Sequence, residues 1–333
     1  MKYKIAIIGT GYMAKKHCEM LKNCNEIILD TIVSTKNSQN ISKQMKQKYG
    51  FLKTTSNFDS ILEDDNIDIA IVCSPDSIHA SQTSKLLKAG KHVLCEKPLA
   101  RTKKDFTIIK NELRKNKKIL QVGMNCRFRE QYSKPKKISK DGKLGELKIL
   151  HANYAVNMVD SIKKCEKPWW SIYPTNIFPI LHGGGIHCID LLRWNGGKIK
   201  KVFAKSTSVI LKKELKSDTI LATFEFGNGV IGDCFISGSV FRPNLFQMDY
   251  SFTNGSIIDN TKIFKVKNHL PVFAGDIKIE QRKIDLRLQL ENMLQSIKKD
   301  ISPMNSFKES FENFKIISAI EDSIMKDKII NTD

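Results

Sequence analysis

Arginine is scarce in this chain. Of 55 basic residues only 8 are Arg and 47 are Lys. Nucleic-acid readers concentrate positive charge and use the planar guanidinium fork for bidentate contacts. Here the lysines run almost evenly from end to end, so the formal net charge of +20 reads as a solvated lysine-rich surface, and no nucleic-acid partner is expected. Such a surface still draws anionic substrates. Long apolar runs are also missing. No stretch of about 18 apolar residues occurs, so neither a membrane-spanning helix nor a membrane partner is expected. The opening MKYKIAIIGTGYMA is too short in its apolar part, and too punctuated by glycine, for a signal peptide. Zinc-type spacing is the third absence. The 8 cysteines are scattered, with no C-x-x-C pair and no His/Cys cluster. They read as small buried hydrophobes of a reducing, cytoplasmic compartment, and no metal site is expected.

What is present suits two globular domains: 333 residues, 41% of them hydrophobic. The first third alternates apolar strands (KYKIAIIG, EIILDTIVS, NIDIAIVCSP, KHVLCEKP, ILQVGMN) with helical patterns of about ten to fifteen residues. That alternation predicts βαβ units, hence a doubly wound, parallel Rossmann sheet over residues 1–125. Near residue 125 the pattern changes. A polar helix-and-turn stretch, KPKKISKDGKLGE, precedes longer strands with weak alternation, among them LKILHANYAVNMV and DTILATFEFGNGVIGDCFISGSV. Asn228-Gly229 and Asn254-Gly255 are hairpin signals, and ESFENFKIISAIEDSIMK reads as a closing helix. Residues 126–333 are therefore expected to form an α+β domain with a large, mostly antiparallel open sheet.

The chemistry begins at GTGYMA. Gly9 and Gly11 fit the first two positions of G-x-G-x-x-G/A, and Ala14 fits the third. The first glycine makes a tight turn, the second lets backbone approach a pyrophosphate, and the small third residue permits close helix–strand packing. Thr10, Tyr12 and Met13 complete the loop, and the helix N-terminus that follows offers N–H groups to phosphate. One more absence bears on the cofactor. The ribose-binding carboxylate expected about 20 residues on falls on Ser34, in VSTKN. Ser34 and Thr35 are neutral and Lys36 is a cation, so nothing repels a 2′-phosphate. Asp30 lies too early in the strand to reach the ribose. This predicts NADP(H) over NAD(H).

With GTGYMA, CSPDSIH and CEKPLA in this order, the chain resembles the family of glucose–fructose oxidoreductases, inositol 2-dehydrogenases and rhizopine-catabolism proteins (Gfo/Idh/MocA). VGMNCRF, GGGIHCIDLLRWNGG, FEFGNGVIG and FTNGSI look like later segments of that family, so the similarity covers nearly the whole chain. The resemblance implies a two-domain oxidoreductase that passes a hydride between the nicotinamide and a carbinol carbon of a sugar, inositol or nucleotide sugar. It further implies a homodimer or homotetramer. The hydroxyl proton leaves with the hydride, and a lysine and a histidine usually serve that step. Lys97 and His187 match them. An ammonium in a partly desolvated cleft beside other cations titrates nearer neutrality. Glu96 is expected to orient Lys97 and steady the nicotinamide ribose, Pro98 fixes the backbone after it, and a cis Lys97–Pro98 bond is possible. Glu96 and Lys97 are equally readable as a solvated strand-end pair. Ser74 and His79, in SPDSIH, are implied cofactor contacts, with helix capping as the alternative for His79.

His187 and Asp190 stand three apart on one helix face, with Asp190 expected to orient or cap. Many relatives carry Asp or Asn four residues before this histidine, where this chain has Gly183; His182 is either a substitute or a turn residue. Asn125 and Arg127 lie where the first domain hands over to the second. Arg127 either binds a substrate carboxylate or phosphate or makes an interdomain ion pair. Trp169 and Trp170 either stack on a sugar ring or fill core, beside Lys163, Lys164 and Lys167. Two other functions fit the same fold: a non-catalytic cofactor-sensing regulator, and a hydrolase or dehydratase that oxidises transiently and regenerates its cofactor.

Overall fold

The computed structural model describes residues 2–22, 24–159, 178–211, 217–240, 243–280 and 286–332. The chain divides into two compact units, residues 1–125 with 285–311, and residues 126–284 with 312–333. In chain order the helices are α1 (Tyr12–Leu21), α2 (Gln39–Tyr49), α3 (Asp59–Glu63), α4 (His79–Lys88), α5 (Lys103–Asn116), α6 (Glu130–Lys140), α7 (Ile186–Gly196), α8 (Leu286–Lys299) and α9 (Phe307–Lys326). Among the described residues no helix is long and apolar enough to cross a membrane.

In the first unit, strands β1 (Tyr3–Ile8), β2 (Ile27–Val33), β3 (Lys53–Thr55), β4 (Ile69–Val72), β5 (His92–Cys95) and β6 (Leu120–Val122) form one sheet in the order β3-β2-β1-β4-β5-β6. Every pair in it is parallel. This is the doubly wound order, whose switch point lies between β1 and β4. The central strands β1 and β4 carry continuous runs of Ile, Ala and Val because helices cover both faces, and β4 is buried at every position. α1 turns Ala14, His17, Cys18 and Leu21 inward, the i, i+3, i+4, i+7 stripe of an amphipathic helix. α2 ends at Gly50, which takes φ +81°, a conformation only glycine adopts at little cost. One core joins Ile5, Ile7, Ile32, Ile69 and Leu94 to Leu290, Met293 and Leu294 of α8. α8 was not among the expected elements of this unit. Its Gln289 backbone carbonyl accepts from Gln121 Nε2 at 2.8 Å, tying it to β6.

In the second unit, β7 (Leu147–Ala155), β8 (Ile199–Thr207), β9 (Thr219–Phe226), β10 (Ile231–Ser237), β11 (Leu245–Phe252), β12 (Gly255–Ile258), β13 (Lys262–Lys267), β14 (Leu270–Asp276) and β15 (Ile330–Asn331) form a sheet in the order β14-β13-β12-β11-β7-β10-β9-β8-β15. It is antiparallel except where β7 meets β10. β9 alternates buried and exposed residues, the mark of a sheet covered on one face. Residues of α7 are buried nearly all round. Two features depart from the sequence expectation. β13 and β14 add a ribbon whose exposed apolar residues, Val266, Leu270 and Phe273, carry no core alternation. The second hairpin turns at Thr253–Asn254, so that Gly255 already pairs with Phe252 in the ladder. Gly255 is required there by contact, since a Cβ would lie 2.4 Å from the Phe264 carbonyl oxygen.

Candidate active site

The first unit gathers the loops at the carboxyl ends of β1, β2, β4 and β5, where open α/β sheets bind ligands. Gly9 leaves β1 at φ +113°, and a Cβ on it would sit 2.6 Å from the Cys73 carbonyl oxygen. Its N–H donates to Val33 O at 2.8 Å, locking the loop to the end of β2. Thr10 follows, and Gly11 is the N-cap of α1. No side chain caps that helix, and a Cβ on Gly11 would meet nothing within 4 Å. The N–H groups of Tyr12 and Met13 open the first turn, and Ala14 packs behind them without exposed surface. Uncapped N–H groups, the positive end of the helix dipole and open space beside Gly11 together fit a dinucleotide pyrophosphate.

At the end of β2, Ser34 is buried and donates from Oγ to Ser42 Oγ at 3.2 Å. Thr35 donates likewise to Ser38. Lys36 is exposed, opens a 3₁₀ turn (Lys36–Ser38), and has no acidic partner among the described residues. Asp30 is buried inside β2, where it accepts from the Thr31 hydroxyl at 2.7 Å and has the Lys53 ammonium at 3.8 Å. Its carboxylate is thus engaged by the next residue of β2 and by the first residue of β3.

Glu96, Lys97 and Pro98 follow β5, and the Lys97–Pro98 bond is cis. Glu96 is buried, and its Oε1 lies 3.0 Å from Nε2 of the equally buried His17 on α1. Gly123, after β6, makes room for it, because a Cβ there would fall 2.7 Å from Glu96 Oε2. The carboxylate thus ties the ends of β5 and β6 to the first helix; it is not a solvated strand-end charge. Lys97 is half-buried. His17 carries no motif and was not among the expected site residues. Its signal was there: a histidine inside an inward apolar stripe needs a polar partner.

His79 opens α4 and braces two of these loops. Its Nε2 lies 2.8 Å from Ser74 O and its Nδ1 2.8 Å from Pro98 O. Ser74 in turn donates from Oγ to Gln82 at 2.6 Å. A neutral imidazole has one N–H, so it would set a lone pair against one of the two carbonyl oxygens; the cation donates to both. Burial works against that charge, but the Cys95 sulfur and the two carbonyls outweigh it and raise the pKa from 6.5 to about 9. Because the folded value is the higher one, the stabilisation is complete below about pH 6.5 and is lost as pH rises through about 9. The shift is worth on the order of 3 kcal/mol. Urea unfolding at about pH 6 and pH 10 should therefore show the native protein losing that much more stability than His79→Gln. Parallel losses in the two proteins would refute the imidazolium.

In the second unit α7 carries His187 and Asp190. It is entered through a single π-helical turn, Leu181–Gly185, a rare geometry often found at functional sites. Within that turn, His182 Nε2 lies 2.9 Å from Glu321 Oε1, so His182 is a paired core residue. Gly183 borders open space, whereas a Cβ on Gly184 would fall 2.1 Å from the ring of Tyr154. His187 is partly exposed, its ring centroid 6.2 Å from that of Phe246. Asp190 has no exposed surface. Arg127 grips it bidentately, Nε to Oδ2 at 2.8 Å and Nη2 to Oδ1 at 2.7 Å, while Asn313 Nδ2 donates to Oδ1 at 2.8 Å. Arg193 closes the network by donating to Asn313 Oδ1 at 2.7 Å. The Arg127 pair therefore lies within one unit and is not an interdomain bridge. Asn313 and Arg193 were not anticipated, since their partners are brought together only by folding. Lys136 donates to the Trp194 carbonyl at the end of α7; burial, then Lys140 and Arg127, bring its pKa down to about 8.

Asn125 is buried at the end of the first unit, in the turn Asn125–Phe128. Lys97 belongs to the first unit and His187 to the second. Trp169 and Trp170, with Lys163, Lys164 and Lys167, lie outside the described residues. Among the described residues no group of three or more His, Cys, Asp or Glu could hold a metal.

Comparison with known proteins gives two family matches. An oxidoreductase family model with an NAD-binding Rossmann fold (GFO_IDH_MocA) matches residues 3–124, and the GFO/IDH/MocA C-terminal domain matches residues 132–258. The chain is 30% identical over 237 residues to myo-inositol 2-dehydrogenase of Thermotoga maritima, covering 69% of this chain and 66% of that protein. It is 24% identical to 4-carboxy-2-hydroxymuconate-6-semialdehyde dehydrogenase of a Sphingobium species, covering 97% and 99%. Levoglucosan dehydrogenase in complex with NADH superposes over all of both chains with a TM-score of 0.89 at 19% identity, a likeness of fold.

Proposed function

Since the chain belongs to the Gfo/Idh/MocA oxidoreductase family, we propose that it transfers a hydride between a nicotinamide cofactor and a carbinol or carbonyl carbon of a sugar, inositol or nucleotide sugar. The observation that carries this reading is the uncapped N-terminus of α1 behind Gly9 and Gly11, on the same sheet edge as Glu96-Lys97-Pro98. Residues 1–125 are read as the NAD(P)-binding domain and residues 126–333 as the substrate domain. The relative named for inositol fits carbinol–carbonyl interconversion.

When bound, the nicotinamide supplies or accepts the hydride; the protein handles position and protons. Gly9, Thr10, Gly11 and the amides of Tyr12 and Met13 hold the pyrophosphate. Ser74, whose carbonyl oxygen is held by His79, would contact the cofactor, and Glu96 would steady the nicotinamide ribose. Lys97 Nζ takes the hydroxyl proton as an amine in the oxidative direction and returns it as an ammonium in the reductive one. His187 is the second proton group. Asn125 serves the substrate directly, whereas Arg127 and Asp190, engaged with each other, act by holding α7 in place.

Cofactor choice is read as NADP(H) over NAD(H), because Ser34, Thr35 and Lys36 put a cation and no carboxylate where the ribose 2′ position is expected. Steady-state kinetics with a polyol and sugar panel tests both statements. Cofactor reduction by at least one of these substrates is expected, with the larger kcat/KM for NADP, and with Lys36→Glu reversing the preference. A preference for NAD in the native protein defeats the cofactor assignment alone. No reduced cofactor with any substrate and either cofactor defeats the dehydrogenase.

A further inference from the structure

Away from the loops just described, α5 and the first residues of α9 enclose a cleft within the first unit, of about 540 Å³. Its floor is aromatic. Phe106 of α5 is buried, and its ring centroid lies 5.8 Å from Phe307 and 5.2 Å from Phe311, while Phe307 and Phe311 stack nearly parallel at 6.3 Å. Phe307 and Phe311 are only half-buried, so the floor is reachable. The rim is basic. Lys103, Lys110 and Arg114 stand at i, i+7 and i+11 along α5, one stripe of a helix, and Lys308 faces them from α9.

These four cations have no acidic partner among the described residues. Of the neighbouring acids, Asp105 caps α5 with Thr102, Glu112 and Glu312 pair with Lys115 and Lys315, and Glu309 stands beside Lys308 in the first turn of α9. An apolar floor of this size gains by covering about 25 cal/mol per Å². Four uncompensated cations around it require that what covers it be negative. A few polar groups converging on a mainly apolar concavity of several hundred Å³ describe a small-molecule pocket better than a flat protein interface.

We propose that this cleft is a second ligand site, for a small anionic amphiphile: an aryl or acyl group bearing a carboxylate or phosphate. The apolar part lies on Phe106, Phe307 and Phe311, and the anion meets Lys110 and Arg114, or Lys103 and Lys308. Both walls lead to the first unit's candidate site. Lys103 follows Lys97 by six residues, and Asn305, two residues before Phe307, donates from Nδ2 to Met124 O at 2.7 Å, just ahead of Asn125. The site does not depend on which substrate the enzyme turns over.

The test is calorimetric titration of the full chain with 4-phenylbutyrate, with uncharged 4-phenylbutanol, and with an acidic peptide containing phenylalanine. Saturable binding of one 4-phenylbutyrate per chain is expected, at least tenfold tighter than the alcohol. Lys110→Glu with Arg114→Glu, both exposed and away from the proposed catalytic groups, should weaken it at least tenfold with the melting temperature nearly unchanged. Lys265→Glu, on β13, should not. Equal affinity for acid and alcohol overturns the proposal. So does an unchanged Kd in the double variant, or equal loss in Lys265→Glu, which marks diffuse attraction to a basic surface. Binding of the peptide alone overturns it in favour of a protein partner.

Discussion

Lys97→Met is expected to lower kcat by a factor of about 10² to 10⁴, the usual weight of one positioned proton-transfer group, while cofactor affinity changes less than about threefold. Methionine keeps the length and the apolar stem of lysine and removes only the ammonium. The groups that would hold the cofactor pyrophosphate are backbone N–H groups of the uncapped first turn of α1 and the loop at Gly9, which is fixed by its own N–H bond to Val33 O, and the substitution alters none of them. Loss of turnover with retained binding thus separates a proton group from a structural one. In the native enzyme kcat should rise with pH in the oxidative direction as the amine forms, and this limb should vanish in the variant. A variant that turns over at the native rate removes Lys97 from the chemistry, and one that loses turnover and cofactor binding together makes it structural.

Asp190→Ala should cost about 3–5 kcal/mol of stability, the range for removing one member of a buried ion pair. The reason is what remains. The Arg127 guanidinium is 3% exposed, lies 5.7 Å from the Trp194 ring and has Lys136 nearby, so its buried charge would lose the bidentate bond to Asp190. Asn313 would lose its acceptor and Arg193 its fixed partner. At about 2–4 °C per kcal/mol, a fall in melting temperature of roughly 6–20 °C follows. Replacing the pair together, Arg127→Met with Asp190→Leu, should cost far less, because no lone charge is left behind. If Asp190→Ala melts within about 2 °C of the native protein, the network does not hold α7 in place.

Much of this was readable before folding. The βαβ alternation, the glycine loop, the acid-free end of β2 and the Asn228-Gly229 turn are local patterns, in which neighbours along the chain set backbone geometry and amphipathic period. Lys97 and His187 could be named because each sits in a short motif. His17 was legible in principle, as a polar residue inside a buried stripe. The Arg127–Asp190–Asn313–Arg193 network was not, because its members lie up to 186 positions apart and each alone is an ordinary polar residue. The return of α8 to the first unit was hidden for a related reason: an amphipathic helix states that it needs a core and not which one.

For Glu96-Lys97-Pro98 the division is clear. Sequence alone determined that a carboxylate, an ammonium and a proline follow a buried parallel strand at the binding edge of a dinucleotide fold, because strand, turn and helix are decided by contacts a few residues long. Tertiary structure alone decided that the carboxylate is buried against His17 across 79 residues, and that a doubly donating histidine clamps the Pro98 carbonyl. Burial of charge is set by whichever distant segments close over it, and a sequence does not carry that information position by position.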